Sequence, residues 1–455
     1  MIREKRDKKQ MDMLNGPIWP KVLQFALPLA ATSILQQLFN SADIAVLGRF
    51  AGKHAMAAVG STSPIVGLLV NLFVGISVGA NVVISNYTGQ NNEKKVSEAT
   101  HTSIILALIC GLMVAGLGQL IAGPMVSLLG TPAEISDMAV KYLRIYFAGM
   151  PFVMLYNFES AIYRSQGNTG TPLMCLSISG VINVVLNLVF VLGFHMDVDG
   201  VATATVIANM ISSLLLLFLL TRQKGAIRIH RSGFHVNRCI LERILRIGIP
   251  SGIQGMVFSI SNLVVQSAIN SLGADVVAGS SAAFNLEIMG YYILNSFGQA
   301  AVTFIGQNYG AGNLKRCRNV TKQVLILDEI FTVVVAALLI LFGHQLLRIF
   351  NTDPQVIHYG YIRVYTLLSA EVINVVIEVL SGTMRGYGAS MVPAVVTFVG
   401  ICGTRILWVY TVFRAIHSWN CLMVVYPVSW LVTMIVMIFA YFRQVRRIQQ
   451  NHASF

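Results

Sequence analysis

Charged residues are scarce in this chain of 455 residues: Asp, Glu, Lys and Arg together make up 11% of it, against about a quarter in an ordinary soluble domain. With 55% hydrophobic residues and a mean hydropathy of +0.69, that scarcity excludes a water-soluble fold. Acids are the scarcer sign, 19 Asp and Glu against 32 Lys and Arg. The six cysteines, Cys110, Cys175, Cys239, Cys317, Cys402 and Cys421, form no C-x-x-C pair, so neither a zinc site nor a disulfide framework is indicated. There is no G-x-x-x-x-G-K-[ST] loop to cradle a nucleotide phosphate. No clustered His/Asp/Glu and no nucleophile with a base suggests a membrane-embedded enzyme. His54, His101, His195 and His344 lack metal-ligand spacing on any shared helix. The basic first twenty residues lead into a full-length apolar segment without a cleavage site, which reads as an uncleaved first helix.

Long apolar runs fill most of the remainder. Segments of about 20 apolar residues can each cross a bilayer as a helix, and twelve are predicted, centred near residues 35, 69, 109, 151, 183, 211, 257, 290, 331, 371, 402 and 432. Runs such as Ile211 to Leu220 do not alternate in polarity, which argues against a membrane barrel. The expected fold is therefore an all-α polytopic membrane protein. With the N-terminus inside, the inner loops and tails gather Arg3, Lys5, Arg6, Lys8, Lys9, Lys94, Lys95, Arg222, Lys224, Arg228, Arg231, Arg238, Arg243, Lys315, Arg316 and Arg443, among others. The outer side keeps few, Arg348, Arg363 and Arg414 among them. This bias predicts a multi-pass protein of the cytoplasmic membrane with both termini in the cytoplasm, and it places the net charge of +13 at the membrane rather than on nucleic acid.

The longest polar interruption, residues 222–243, divides the chain into lobes at 21–221 and 244–443, flanked by cytoplasmic tails at 1–20 and 444–455. The halves repeat. Tyr163-Arg164-Ser165-Gln166-Gly167 with Pro172 matches Met384-Arg385-Gly386-Tyr387-Gly388 with Pro393 at an offset of 221 residues. Pro28 matches Pro250, Gly89-Gln90-Asn91 matches Gly306-Gln307-Asn308, and Tyr142-Leu143-Arg144 matches Tyr361-Ile362-Arg363 at offsets that drift slightly. Six spans per half make these parallel repeats, expected as two six-helix lobes around a central cleft, a transporter architecture.

Asp43 is the acid within the first apolar segment. A carboxylate at that depth costs about 2.5 kcal/mol or more unless it meets a partner or a wet cavity, so it marks a functional site. Asn183 and Asn187 are four residues apart and share a helical face. Pro28 lies four turns before Asp43 and kinks the helix by removing a backbone hydrogen bond, a candidate conformational hinge. In the second half Glu371, Asn374 and Glu378 share one face of the tenth helix, with Glu287 in the eighth span and Arg405 in the eleventh. These form a polar network in which Arg405 is expected to pair with a glutamate, Glu378 foremost, while Glu287 is left to attract cations to the cleft. Asp328 and Glu329 are expected at an interface. Phe39, Met256, Met289 and Tyr292 are candidate cleft residues with Glu287, since methionine repacks and ring faces attract cations.

The chain resembles the multidrug and toxic compound extrusion (MATE) family. The likeness rests on Asn15-Gly16-Pro17-Ile18 before Leu27-Pro28, on Gly306-Gln307-Asn308-Tyr309-Gly310-Ala311-Gly312, and on Arg385-Gly386-Tyr387-Gly388, in order and over nearly the whole length. It implies export of organic, often cationic or amphipathic compounds in exchange for protons or sodium ions by alternating access, with no other cofactor. In the DinF-like branch the coupling site combines an acid on the first helix with polar residues on the fourth, fifth and sixth; the matching positions are Asp43, Asn157, Asn183 and Thr205. Asn187 stands where that branch often has a second aspartate, and Phe39 where it has a tyrosine. One carboxylate in place of two shifts the balance toward a proton, although Asp43, Asn183 and Thr205 still offer hard oxygens to a sodium ion. The glutamate of NorM-like relatives on the seventh helix is missing. Small molecules and membrane lipids are the implied partners, with neither nucleic acid nor an obligatory protein partner. The nearest alternative cargo is a lipid-linked oligosaccharide, whose flippase would need a strongly basic cleft.

Overall fold

A computed structural model describes residues 11–128, 131–230, 233 and 235–453, and all of its regular structure is helical. The expected basic residues Arg3, Lys5, Arg6, Lys8, Lys9 and Arg231 lie outside the described residues. The first half comprises α1 (Trp19–Val46), α2 (Lys53–Gly89), α3 (Glu93–Leu128), α4 (Ala133–Ala148), α5 (Met150–Ser165), α6 (Gly170–Leu188) and α7 (Val198–Arg222). The second comprises α8 (Arg238–Asn270), α9 (Ala274–Gly310), α10 (Leu314–Leu341), α11 (Gly343–Phe350), α12 (Pro354–Gly386), α13 (Met391–Thr397), α14 (Thr404–Trp408), α15 (Trp419–Met423) and α16 (Val425–Ala453). Ten helical runs are long and apolar enough to cross a membrane, or eleven when α4 and α5 count as one span bent by 49°. The bend falls at Gly149 and Pro151, where proline supplies no amide hydrogen and starts a new helix. The remaining span of the twelve is α9, long enough at 37 residues but made more polar by residues such as Glu287, Asn295 and Gln299.

Helix boundaries tighten the repeat. The helices α2, α3, α4, α6 and α7 begin at residues 53, 93, 133, 170 and 198, and α9, α10, α12, α13 and α15 begin at 274, 314, 354, 391 and 419, each 221 residues later. Backbone conformation agrees, because the positive-φ residues Gly52, Asn91 and Gly167 recur as Gly273, Gly312 and Gly388 at the same offset. Two of the matches expected from sequence are therefore out of register: Gly89 corresponds to Gly310 and not Gly306, and Tyr142 to Arg363 and not Tyr361. Short motifs of common residues realign by chance within a turn of helix, whereas helix ends do not.

Only the first span departs from the constant offset. Pro28 and Pro250 are 222 residues apart but Gly52 and Gly273 are 221 apart, so the first half holds one extra residue between them. A π-helical turn at Leu47–Ala51 takes it up just after Asp43, the way a single-residue insertion is accommodated within a helix.

The chain forms two compact units, and both are entered through a shared helix. One holds Ala31–Gly252; the other holds Met13–Ala30 with the chain from Ile253 onward. These limits differ from the expected 21–221 and 244–443, and the packing of each unit shows why. In the second unit Phe25 meets Phe304 edge-on at 5.9 Å, and Asn308 and Arg316 donate to the Met13 carbonyl. In the first, the start of α8 lies against α2 through glycines: a Cβ at Gly252 would stand 2.0 Å from the Leu72 carbonyl oxygen, and one at Gly75 only 2.2 Å from Gly252 Cα. Gly248 and Gly79 repeat the approach one turn along, a small-xxx-small pair on both helices. Both unit limits fall two residues beyond a proline, Pro28 or Pro250.

Candidate ion-binding site

Asp43 is 5% exposed and is held by two partners from other helices of its unit. Its Oδ1 accepts from Asn187 Nδ2 at 2.5 Å and its Oδ2 lies 3.0 Å from Thr205 Oγ1. One turn back on α6, Asn183 Oδ1 lies 3.4 Å from Asn187 Nδ2, and Asn183 Nδ2 lies 3.4 Å from Thr205 Oγ1. The spacing of four places both asparagines on one face of α6, and the π-helical turn Val189–Gly193 with a short link returns the chain so that Thr205 faces them from α7. The predicted grouping of Asp43, Asn183, Asn187 and Thr205 is thus one hydrogen-bonded cluster. Asn157 is not in it; its Nδ2 donates to the Val153 carbonyl at 2.8 Å within α5.

Two atoms give the cluster its chemistry. Asn187 Oδ1 is buried with no hydrogen-bond partner, an orphaned acceptor beside a carboxylate. Thr205 Oγ1 lies 3.0 Å from Asp43 and 2.9 Å from the Val201 carbonyl, and its single hydrogen can serve only one of them at a time. The oxygens of Asp43, Asn183, Asn187 and Thr205 form a set of hard donors suited to a proton or a small cation.

Three further polar side chains of this unit are not evident from sequence, two of them beside Asp43. Tyr142 and Tyr146, stacked at 5.9 Å on α4, lie within electrostatic reach of Asp43; their spacing of four on an otherwise apolar face was the available signal. Glu159 on α5 is fully buried with neither carboxyl oxygen hydrogen-bonded. A single acid in a mixed-polarity segment left hydropathy little to register. Phe39 packs its ring where a side chain on Gly180 would stand, Cε2 lying 1.8 Å from that Cβ position. Pro28 lies inside an unbroken α1, in the stretch belonging to the second unit.

The polar network of the second unit is wired differently from expectation. Glu378 pairs with Arg385 at 2.7 Å, and Glu287 pairs with Arg363 at 2.9 Å. Arg405 is fully buried and pairs with neither; it donates to Asn262 at 2.8 Å, Ser261 at 3.4 Å and Ser429 at 3.3 Å, and lies over the Tyr426 ring at 4.4 Å. Its Nη2 has no partner. Glu378 is instead engaged by Arg385, two turns along the same helix. Glu371 accepts from Asn374 at 3.1 Å, as their shared face predicts. Asp328 is completely buried within the second unit. Among the other cleft candidates, Met256, Met289 and Tyr292 are partly buried in the second unit, where Tyr291 stacks on Phe258.

At the offset of 221, Tyr142, Asn183, Asn187 and Thr205 correspond to Arg363, Thr404, Trp408 and Tyr426. Only Tyr142 gives way to an arginine; the other three positions hold threonine, tryptophan and tyrosine, so the second unit repeats the fold without the hydrogen-bonded cluster around Asp43.

The fold and a buried acid held by an amide and a hydroxyl define a multi-pass membrane transporter rather than an enzyme. The MatE family model matches residues 28–189 and 250–411, once per half and starting at the two prolines, and the chain belongs to this family. It is 27% identical over 445 residues, 95% of each chain, to the probable multidrug resistance protein YoeA of Bacillus subtilis. It is 28% identical over 398 residues to the probable multidrug resistance protein NorM of Thermotoga maritima, covering 85% of this chain and 84% of that one. Among solved structures it matches a MOP superfamily transporter from Pyrococcus furiosus, described as having a binding pocket of reverse polarity, with a TM-score of 0.90 at 22% identity over 98% of this chain and all of that one. The outward-facing conformation of a multidrug resistance MATE family transporter matches with a TM-score of 0.88 at 21% identity, over 98% and 99%.

Proposed function

We propose that the protein is a secondary antiporter of the cytoplasmic membrane that exports organic, often cationic or amphipathic compounds in exchange for an inward-moving proton or sodium ion. Both termini face the cytoplasm, as the placement of basic residues favours. The observation that carries the ion coupling is Asp43, buried and clasped by Asn187 and Thr205 beside the orphaned Asn187 oxygen. The multidrug relatives along nearly the whole chain support the cargo class.

The cluster can hold its acid in either charge state. With Asp43 ionised, Thr205 gives its hydrogen to Oδ2 and Asn187 donates to Oδ1. With Asp43 protonated, its own O–H donates to Thr205 Oγ1, whose hydrogen then turns to the Val201 carbonyl. Each state keeps the Asp43 carboxyl and the Thr205 hydroxyl hydrogen-bonded, and the charge change alters what the first unit's interior will accept. A sodium ion would instead draw on the oxygens of Asp43, Asn183, Asn187 and Thr205. An ion that binds one conformation better shifts the population toward it, and Pro28, where α1 passes between units, is the proposed bending point. Neither another cofactor nor an obligatory protein partner is required, and lipid and small molecules are the contacts the function needs.

Buried positive charge exceeds Arg405 alone, since Arg363 and Arg385 are also buried, which removes part of the objection to an anionic lipid-linked cargo. Both of those arginines are ion-paired, however, and organic-compound export remains the reading favoured here. The test is efflux from proteoliposomes under an imposed pH gradient or sodium gradient. Wild-type protein should respond to one of them and Asp43→Asn to neither; ion-driven efflux at the wild-type rate in Asp43→Asn would refute the coupling role.

A further inference from the structure

Seven charged side chains pack into the second unit: Asp328, Glu371, Arg363, Arg385 and Arg405 are buried, and Glu287 and Glu378 are partly buried in ion pairs. Four carboxyls face three guanidiniums in this set, and Glu329, partly buried beside Asp328, adds to the excess of carboxyls. The direct ion pairs Arg363 with Glu287 and Arg385 with Glu378 use two of each. Of the remaining three groups, Glu371 is hydrogen-bonded by Asn374 and lies within electrostatic reach of Arg405. Asp328 is left over.

The surroundings of Asp328 agree with that count. It is 0% exposed; Oδ1 lies 3.3 Å from Thr332 Oγ1 and Oδ2 has no partner. The charges within its reach are all acidic: Glu329 beside it on α10, and Glu371 and Glu378 on α12. Arg385, also on α12, is committed to Glu378, and α9 adds Glu287, committed to Arg363, and Tyr291. On α11, the His344 ring is stacked on Tyr361 at 3.9 Å. An ionised carboxylate with a bare oxygen, buried among other carboxylates, is among the costliest arrangements in a protein interior. At the offset of 221 the first unit has Ala107 in its place, so the site is not inherited from the repeat.

We propose that Asp328 is a second proton-binding site, separate from Asp43 and confined to the second unit, holding a proton that offsets the excess of carboxyls in that unit's interior. Its use in transport rests on the antiporter reading above: a proton exchanged there adds one to the number coupled per cycle. The existence of the site does not rest on it, and the test reads protons and not transport. Asp43 and Asp328 are the buried aspartates among the described residues, so carbon-13 labelling of aspartate isolates them in the infrared. In purified Asp43→Asn protein at neutral pH, a protonated-carboxyl stretch that shifts with the label is expected; its absence would overturn the proposal. Asp328→Asn should take up about one proton fewer than wild type between alkaline and acid solution, and Asp43→Asn with Asp328→Asn about two fewer. Unchanged uptake in Asp328→Asn would equally overturn it. If Asp43 fails the efflux test while these readings hold, the coupling proposal falls and this one stands.

Discussion

Thr205 and Asn187 divide the work of holding Asp43, and their substitutions should be separable. Thr205→Val keeps the shape and removes the hydroxyl that serves either Asp43 or Val201. A hydrogen bond to a charged group contributes about 1.5–3 kcal/mol, so apparent affinity for the coupling ion should fall roughly ten- to hundredfold; efflux rate against proton or sodium concentration measures it. Asn187→Asp places a second carboxylate against the first. Two carboxylates supply the charge compensation and hard oxygens a sodium ion needs, so this variant should favour sodium over a proton relative to wild type. Sodium-dependent protection of the purified protein against heating is the direct reading, and no gain would show that the geometry rather than the charge sets ion choice. Asn157, hydrogen-bonded within its own helix, should tolerate Ala with ion coupling intact.

At the scale of elements, the glycine contact of α2 with α8 and the two prolines carry the argument. Gly252→Leu sets a large side chain where even a Cβ would meet the Leu72 carbonyl at 2.0 Å. Overpacking of this kind costs about 1–3 kcal/mol or more, and the detergent-solubilised variant should melt several degrees below wild type. The nearby Gly67, with open space around its Cβ position, serves as control. Pro28→Ala restores a helical hydrogen bond where α1 passes from one unit to the other. It should fold normally and slow efflux, with Pro250→Ala as the counterpart in α8; unaltered efflux in both would assign the prolines to static kinks. The π-helical turn after Asp43 belongs to this scale too, because the inserted residue rephases everything beyond it by about 100°.

For the whole molecule, orientation is testable with a native residue. Cys239 is exposed in the basic linker, whereas four of the other five thiols are buried and Cys421 is partly so. A membrane-impermeant maleimide should label Cys239 in inverted vesicles and leave it unmodified in intact cells. The reverse pattern would invert the proposed topology.

Much of this was legible in the residues. Composition and run length specify a helical membrane protein with twelve spans, since hydrocarbon leaves a polar backbone few other options, and an acid such as Asp43 stands out against so apolar a background. The asparagine pair was readable from helical periodicity. Its partners on other helices were not: the pairing of Arg385 with Glu378, the isolation of Arg405 and the burial of Asp328 each depend on which faces of α9, α10 and α12 meet. Hydropathy records how apolar a segment is and not which side of it looks inward. The chain by itself therefore determined the class, the duplication and the intramembrane acid Asp43, because these follow from local composition and spacing. Only the tertiary structure decided the exact register of the repeat, the units that exchange their first helices and the partners of every buried charge, because those are settled by packing between segments distant in sequence.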